Sequence, residues 1–162
     1  MSNAEKKPDL RLVKKAPTSQ ELPHDEHREI ALLAAAMTDA RVIDLVRDLV
    51  TKEAFYDIAR GVIFDAMVQL HSSGDAVSRV SVMSWLKDRN VLEMVGGPAA
   101  IGRLATDVPV LGHAVDHARK IASKAKRRAF ILDAEAAAAE CRGNIENEAE
   151  WLDDTTRRLR KH

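Results

Sequence analysis

Two groups of histidine and acidic residues are the first places in this sequence where side chains could hold a metal ion. Residues 24–27 read His-Asp-Glu-His, and His113 and His117 stand four residues apart with Asp116 between them. The first run lacks the H-E-x-x-H spacing of a zinc helix, and in an opening helical turn its side chains need not converge. His113 and His117 could form half a site, but no third ligand is evident. We therefore expect solvated surface histidines and no metal site.

Motifs for nucleotide or covalent chemistry are absent from the sequence. A phosphate-binding loop needs G-x-x-x-x-G-K-[ST], whereas Gly96 and Gly97 are followed by Pro98 and Ala99 with no lysine in reach. Neither a serine, histidine and acid arrangement nor a pair of buried carboxylates can be assembled with any specificity. The sequence predicts no catalytic site, no cofactor and no ATP hydrolysis.

A basic segment followed by an acidic one is the strongest charge pattern. The basic residues are Lys120, Lys124, Lys126, Arg127 and Arg128, and the acidic residues are Glu146, Glu148 and Glu150. One interpretation is pairing across a solvated hairpin, at ~0.2 to 1 kcal/mol per exposed pair. The other is a surface for an acidic partner or a nucleic-acid strand at Arg127 and Arg128. Because basic and acidic residues are equal at 25 each, and Phe130 is the only nearby aromatic, we expect direct nucleic-acid binding to be weak or absent.

Composition indicates the elements that must position these residues. The chain has 162 residues, 46% of them hydrophobic and only 4% aromatic, with few glycines and prolines. This balance favours an all-α interaction module large enough to bury a core. Cys141 is the single cysteine, which excludes an internal disulfide, and no segment resembles a secretion signal or a membrane span. We expect a soluble cytoplasmic protein.

The chain divides into three predicted segments. Residues 1–23 carry three prolines and little periodicity, so they are predicted to form a flexible arm. Residues 24–108 are predicted to form a compact head of about five short helices, with Ser78 or Ser81 capping the fourth helix and Asn90 closing it. Residues 109–162 are predicted to form a long antiparallel helical hairpin that turns at Gly143 and Asn144.

The hairpin prediction rests on apolar residues that alternate in steps of four and three. The first seam contains Leu111, Val115, Ala118, Ala122, Ala125, Ala129, Leu132, Ala136 and Ala139, and the second contains Ile145, Ala149, Leu152, Thr156 and Leu159. The second arm is about half as long as the first. The stretch 111–122 must therefore find its partner on the head or on another chain.

Four residues are predicted to form a partner interface on the first hairpin helix. Phe130 and Ile131 lie off the seam, where a solitary hairpin leaves them in water, although single exposed apolar residues are also ordinary. Arg127 and Arg128 are the predicted polar contacts of this interface.

The order of residues from Pro23 to the end of the chain resembles the N-terminal domain of the bacterial replicative DNA helicase family, DnaB. The resembling residues are Pro23, His24, Glu29, Leu33, Phe55, Tyr56, Ile63, Phe64, Leu70, Ser73, Gly74, Leu86, Gly96, Gly97, Ile101, Leu104 and Pro109. The sequence departs from the usual family pattern at His27-Arg28, where Glu-Ala is common, at Arg60, where histidine is common, and at Ser78, where aspartate is common.

The resemblance implies a helical head and hairpin that assemble, from dimer to hexamer, as the N-terminal collar of a ring. It also implies docking of primase and contact with a helicase loader or the motor domain. By resemblance, ATP hydrolysis and DNA unwinding belong to that motor domain, which this sequence does not contain. Two other functions remain open: a stand-alone regulator or loader that mimics the collar, and a helical nucleic-acid-binding protein.

Overall fold

The computed structural model describes residues 21–104 and 111–162, and the regular structure in these ranges is helical. The helices are α1 (Glu26–Thr38), α2 (Arg41–Val46), α3 (Ile58–Ser72), α4 (Arg79–Asp88), α5 (Gly97–Leu104), α6 (Ala114–Glu140) and α7 (Glu148–Leu159). Short 3-10 turns cover Lys52–Ala54 and Leu111–His113. The all-α prediction is confirmed. Most of the predicted arm (1–20) and the predicted boundary between head and hairpin (108/109) lie outside the described residues.

Polar residues at the helix ends explain where several elements begin and end. The Asp25 side chain accepts a hydrogen bond from the Arg28 amide at the start of α1. Ser78 and Ser81 form a reciprocal capping box at the start of α4, so both predicted capping serines take part. Asn90 follows α4 with a φ of 57°, the left-handed conformation that asparagine tolerates at a helix end. The sequence signals for both ends of α4 are confirmed.

The head is built around a single apolar core shared by α1 to α5. Its largest fully buried apolar side chains include Leu32, Leu33, Ile43, Phe64, Met67, Leu86 and Ile101. The turn at Lys52–Ala54 lies between α2 and α3, and α3 begins at Ile58. Gly61 lets this turn approach α3, because a Cβ at that position would overlap the Lys52 carbonyl oxygen.

The first half of α6 belongs to the same core. Ala114, Ala118 and Ile121 are each no more than 1% exposed and pack with the residues of α1 to α5. The sequence left either the head or another chain as the packing partner of residues 111–122, and the structure shows that the head is a partner. The small alanine side chains let the axes of α1 and α6 approach closely.

The second half of α6 packs against α7, and here the predicted seam is wrong. Leu132 is 52% exposed and Ala136 and Ala139 are exposed, whereas Ala137 is buried. On α7, Thr155 is buried and the predicted seam residue Leu152 is 59% exposed. The sequence reasoning assumed one continuous seam, but α6 packs on the head, through α1, α2 and the Lys52–Ala54 turn, and on α7 near its end. Each partner covers a different face of the helix, so the remaining apolar positions stay uncovered.

None of the helices in the described ranges is long and apolar enough to cross a membrane.

Candidate interaction surface

The four predicted interface residues occupy one turn of α6, but their side chains point to different surroundings. Arg127 is exposed, Phe130 is 47% exposed and Ile131 is half-buried. Arg128 is buried, with only 8% of its surface exposed. Whether these residues contact a partner stays a prediction, and Arg128 differs from the other three because it points into its own chain.

Arg128 ties α6 to two segments of the head. Its two terminal guanidinium nitrogens donate hydrogen bonds to the carbonyl oxygens of Pro23, at 2.8 Å, and Ala54, at 2.6 Å. The guanidinium carbon also lies 5.6 Å from the centre of the Tyr56 ring. Burial lowers the pKa of Arg128, but a guanidinium stays charged at neutral pH. Both terminal nitrogens are used inside the chain, so Arg128 fixes the hairpin against the head.

A second buried charge, Glu29, organises the start of α3. The Glu29 carboxylate is 1% exposed and accepts hydrogen bonds from the Tyr56 amide, at 2.6 Å, and the Arg60 guanidinium, at 2.9 Å. Arg60 also pairs with Glu26 and Asp57. Burial of an unpaired carboxylate is costly, and the Tyr56 amide and the Arg60 guanidinium offset that cost for Glu29. Together, Glu29 and Arg128 fix the segment before α3 from two sides.

The sequence reasoning did not identify Glu29 or Arg60 as a buried pair. A signal was present, because Glu29 stands three and four residues before Leu32 and Leu33 and therefore lies on the buried face of α1. A charged residue in an apolar stripe needs a partner, and the nearby sequence alone does not show which one.

An apolar stripe on α6 is left without an intramolecular cover. It consists of Leu132, Ala136 and Ala139, spaced by four and three residues, and all three are exposed. We call these residues the α6 outer stripe. Phe130 lies on a different side of the helix, where the ring of His162 meets it edge-on at 6.5 Å between centroids.

Polar contacts hold α7 against α6. The Glu140 carboxylate accepts a hydrogen bond from the Trp151 indole at 2.9 Å and pairs with Arg158 at 3.0 Å. Hydrogen bonds from Arg158 and Trp151 lower the pKa of Glu140. The hairpin therefore depends on exposed polar contacts as well as on the packing of Ala137 and Thr155.

The histidine-containing run at 24–27 does not converge on one point. His24 stacks on the Tyr56 ring with 4.3 Å between centroids, while Asp25 caps α1. Glu26 pairs with Arg60. His24, Asp25 and Glu26 therefore serve three different contacts within the chain.

The second histidine group forms the junction between α1 and α6. Arg28 pairs with Asp116 at 2.6 Å and donates to His117 Nδ1 at 3.2 Å. Burial and the nearby Arg28 charge lower the pKa of His117, and the hydrogen bond from Arg28 lowers the pKa of Asp116. Arg28 and Asp116 form the ion pair of this junction. The lowered pKa of His117 favours its neutral form beside that pair. Among the described residues, no group of three His, Cys, Asp or Glu side chains could hold a metal ion.

The basic residues of α6 do not pair with the acidic residues after the turn. Within residues 111–162, the ion pairs of the structure are Arg157 with Asp153 and Asp154, Arg158 with Glu140, and His162 with Asp133. The sequence interpretation of basic residues paired with Glu146, Glu148 and Glu150 is therefore wrong. The physical reason is the length of α6, which places these basic residues beside the head and the acidic ones at the far end of the hairpin.

Comparison with proteins of known sequence shows which family this chain resembles. The family model described as the DnaB-like helicase N terminal domain matches residues 21–123. The replicative DNA helicase DnaB of Treponema pallidum is 28% identical over 128 residues, which cover 76% of this chain and 29% of that protein. The corresponding protein of Nostoc is 35% identical over 75 residues, 46% of this chain and 8% of that protein.

Comparison with solved structures gives the same result for the fold. The crystal structure of the N-terminal domain of DnaB helicase from Mycobacterium tuberculosis matches with a TM-score of 0.82 and 23% identity, covering 88% of this chain and all of that chain. The chain spans less than a third of the length of the curated relatives described above. The matched region is the N-terminal domain of those helicases and not a whole helicase. This chain belongs to the DnaB-like helicase N-terminal domain family.

Proposed function

We propose that this chain is the non-catalytic N-terminal collar domain of a replicative DNA helicase, acting in DNA replication in the cytoplasm. In this role, copies of the domain associate with one another, from dimer to hexamer, and the assembly presents docking sites for primase and for a helicase loader or the motor domain. The family match supports the helicase context. The α6 outer stripe supports self-association.

The α6 outer stripe carries the self-association proposal because it keeps the spacing of a helix-packing seam. Residues repeating in steps of four and three are typical of helices that pack along their length. In this chain α7 covers a different face, and Leu132 remains 52% exposed. A second hairpin that packs on this stripe would bury it, and its small alanines would allow close approach of the two helices.

Primase docking is proposed at the neighbouring surface of α6. Phe130 is 47% exposed, Ile131 is half-buried, and Arg127 is an exposed cation on the same turn. An aromatic ring with an adjacent arginine is the kind of residue pair that dominates binding energy at protein interfaces. Arg128 contributes to this surface by fixing α6 against the head.

Sedimentation velocity on stripe variants tests the self-association proposal. The double variant Leu132→Glu with Ala136→Glu places charges on exposed positions, so folding is retained while stripe packing is lost. We expect this variant to sediment as a monomer of 17.9 kDa at concentrations where the unaltered chain is larger. Val80→Glu is the matched control, because Val80 is 72% exposed on α4 and far along the chain from the stripe. Equal sedimentation of all three proteins would contradict the proposal.

Capture of purified primase on the immobilised chain tests the docking proposal. We expect Phe130→Ser with Ile131→Ser to lose capture, since truncating an aromatic anchor costs about 2 kcal/mol or more of binding. The Val80→Glu control should capture primase as the unaltered chain does. Undiminished capture by the double variant would refute this docking surface while leaving self-association untouched.

A further inference from the structure

An open groove between α6 and the turn after α2 shares only Arg127 with the primase-docking surface proposed above. Its volume is about 590 Å³, and its lining includes Asp48, Leu49, Arg119, Ser123, Lys126 and Arg127. We call it the α2–α6 groove. Arg119, Ser123, Lys126 and Arg127 are spaced by four, three and one residues, so they form one face of the helix. The groove therefore presents three cations on a rigid element.

The cations of the α2–α6 groove are unpaired, unlike most other arginines of the described chain. Arg28, Arg60, Arg128 and Arg158 are all held by intramolecular acceptors. For Arg119, Lys126 and Arg127, the described part of the chain supplies no carboxylate within ion-pair distance. In a chain with equal numbers of basic and acidic residues, three cations against the single lining carboxylate of Asp48 leave a net positive field over the groove.

One apolar side chain lines the groove on its α2 side. This residue, Leu49, is 37% exposed, while Leu45, four residues earlier in α2, is outside the lining and 61% exposed. The neighbours Val46 and Val50 are buried. The valines therefore supply the core contacts of this segment, and the two leucines remain exposed to solvent. A strip of exposed leucine beside a row of unpaired cations matches a ligand with an apolar face flanked by negative charge.

We propose that the α2–α6 groove binds an acidic amphipathic helix of a partner protein. Leucine or similar side chains of that helix would pack on Leu45 and Leu49, and its glutamates or aspartates would face Arg119, Lys126 and Arg127. This is the helix-in-groove mode of recognition, in which apolar anchors give affinity and flanking charges give selectivity. The proposal shares Arg127 with the primase-docking surface, but it requires neither a second copy of this chain nor the contacts at Phe130 and Ile131, and its charge-reversal test leaves Arg127 unchanged.

Two other occupants fit the groove less well. A nucleic-acid strand would find no Phe, Tyr or Trp ring to stack on among the lining residues, whose one ring is the His162 imidazole, and it would have no use for the apolar Leu49 side chain. The first twenty residues of this chain contain five lysines and arginines against two acidic residues, so their charge has the wrong sign for the groove. Apolar anchors and negative charge together favour the acidic helix.

Fluorescence anisotropy with three labelled probes tests the proposal. The probes are a synthetic helix with leucines at i, i+4 and i+7 flanked by glutamates, the same helix with lysines in place of glutamates, and a single-stranded oligothymidylate. We expect only the glutamate helix to bind. Charge reversal at Arg119→Glu with Lys126→Glu should weaken this binding by about tenfold or more, because two attractive charge contacts become repulsive. Lys87→Glu, an exposed charge reversal on α4, should leave it unchanged.

The variant Leu45→Ser separates an amphipathic helix from other anions. Because Leu45 is 61% exposed, its replacement should spare the fold, and we expect it to weaken the glutamate helix several-fold. The proposal is overturned if the glutamate helix fails to bind or binds the charge-reversed protein equally well. The proposal is also overturned by a second pattern. In that pattern, the oligothymidylate binds more tightly than the glutamate helix, and its affinity falls on charge reversal but is unchanged in Leu45→Ser. A charge-reversed protein that self-associates normally but loses the helix would support the groove independently of the collar role.

Discussion

Replacing Arg128 with methionine should destabilise the fold far more than the same change at its neighbour Arg127. Methionine keeps most of the aliphatic volume but removes both guanidinium hydrogen bonds, to Pro23 and Ala54. A hydrogen bond to a charged group contributes about 1.5 to 3 kcal/mol, and a buried acceptor left unsatisfied costs about 1 to 3 kcal/mol. The bond to Pro23 is only partly buried, so we take the lower end for it. The expected loss in free energy of unfolding is about 3 kcal/mol.

Urea unfolding followed by far-ultraviolet circular dichroism measures this loss. Both variants should be compared with the unaltered chain at one protein concentration, because association would stabilise the folded state. Arg127 is exposed and unpaired in the described chain, so Arg127→Met should stay within about 0.5 kcal/mol of the unaltered protein. If Arg128→Met and Arg127→Met unfold at the same urea concentration, the role of Arg128 as the tie between α6 and the head is refuted.

Two further perturbations test the packing and the electrostatics of the head. Gly61→Ala should cost more than about 2 kcal/mol of stability, because the new Cβ would overlap the Lys52 carbonyl. Gly102→Ala, where a Cβ meets nothing within 4 Å, should be neutral or stabilising by up to about 1 kcal/mol; equal losses in thermal unfolding would contradict this packing. His117 has a lowered pKa in the folded chain, so the unfolded chain binds its proton more readily. Stability should therefore fall as pH drops below about 6.5, and His117→Asn should flatten that fall in thermal melts at about pH 7.5 and 5.5; parallel pH profiles would contradict the burial of His117.

Local signals in the sequence were sufficient for the two ends of α4. The Ser78 and Ser81 capping box and the left-handed Asn90 are each decided within a few residues. The interaction between a polar side chain and the nearest free amides does not depend on the rest of the fold. The all-α class and the hairpin turn followed from the same kind of local information.

Contacts between distant segments were not predictable from the sequence in the same way. Arg128 lies 105 residues from Pro23 and 74 from Ala54, and no spacing rule connects them. The apolar pattern of α6 was identified, but it could not show that α1 and α7 cover different faces. Leu132 and Ala136 were predicted to face the second arm, and the structure leaves them exposed. The part of the candidate surface that the sequence missed is therefore the part created by tertiary packing.

Exposed positions on α6 were partly recognisable in advance. Phe130 stood out as an apolar residue outside the seam, and it is 47% exposed. Arg127 and Arg128 are identical in type and adjacent in sequence, yet one is exposed and the other is 8% exposed. A helix turns by about 100° per residue, so adjacent side chains face different surroundings. Only the position of the head decides which arginine is buried.

The solution mass of the chain, measured by light scattering after size exclusion over a range of concentrations, tests the central claim most directly. The account predicts that the mass rises above the 17.9 kDa of a single chain towards dimers or larger assemblies as concentration increases, because the α6 outer stripe gains a partner. A strictly monomeric mass at the highest concentration would contradict self-association through the hairpin.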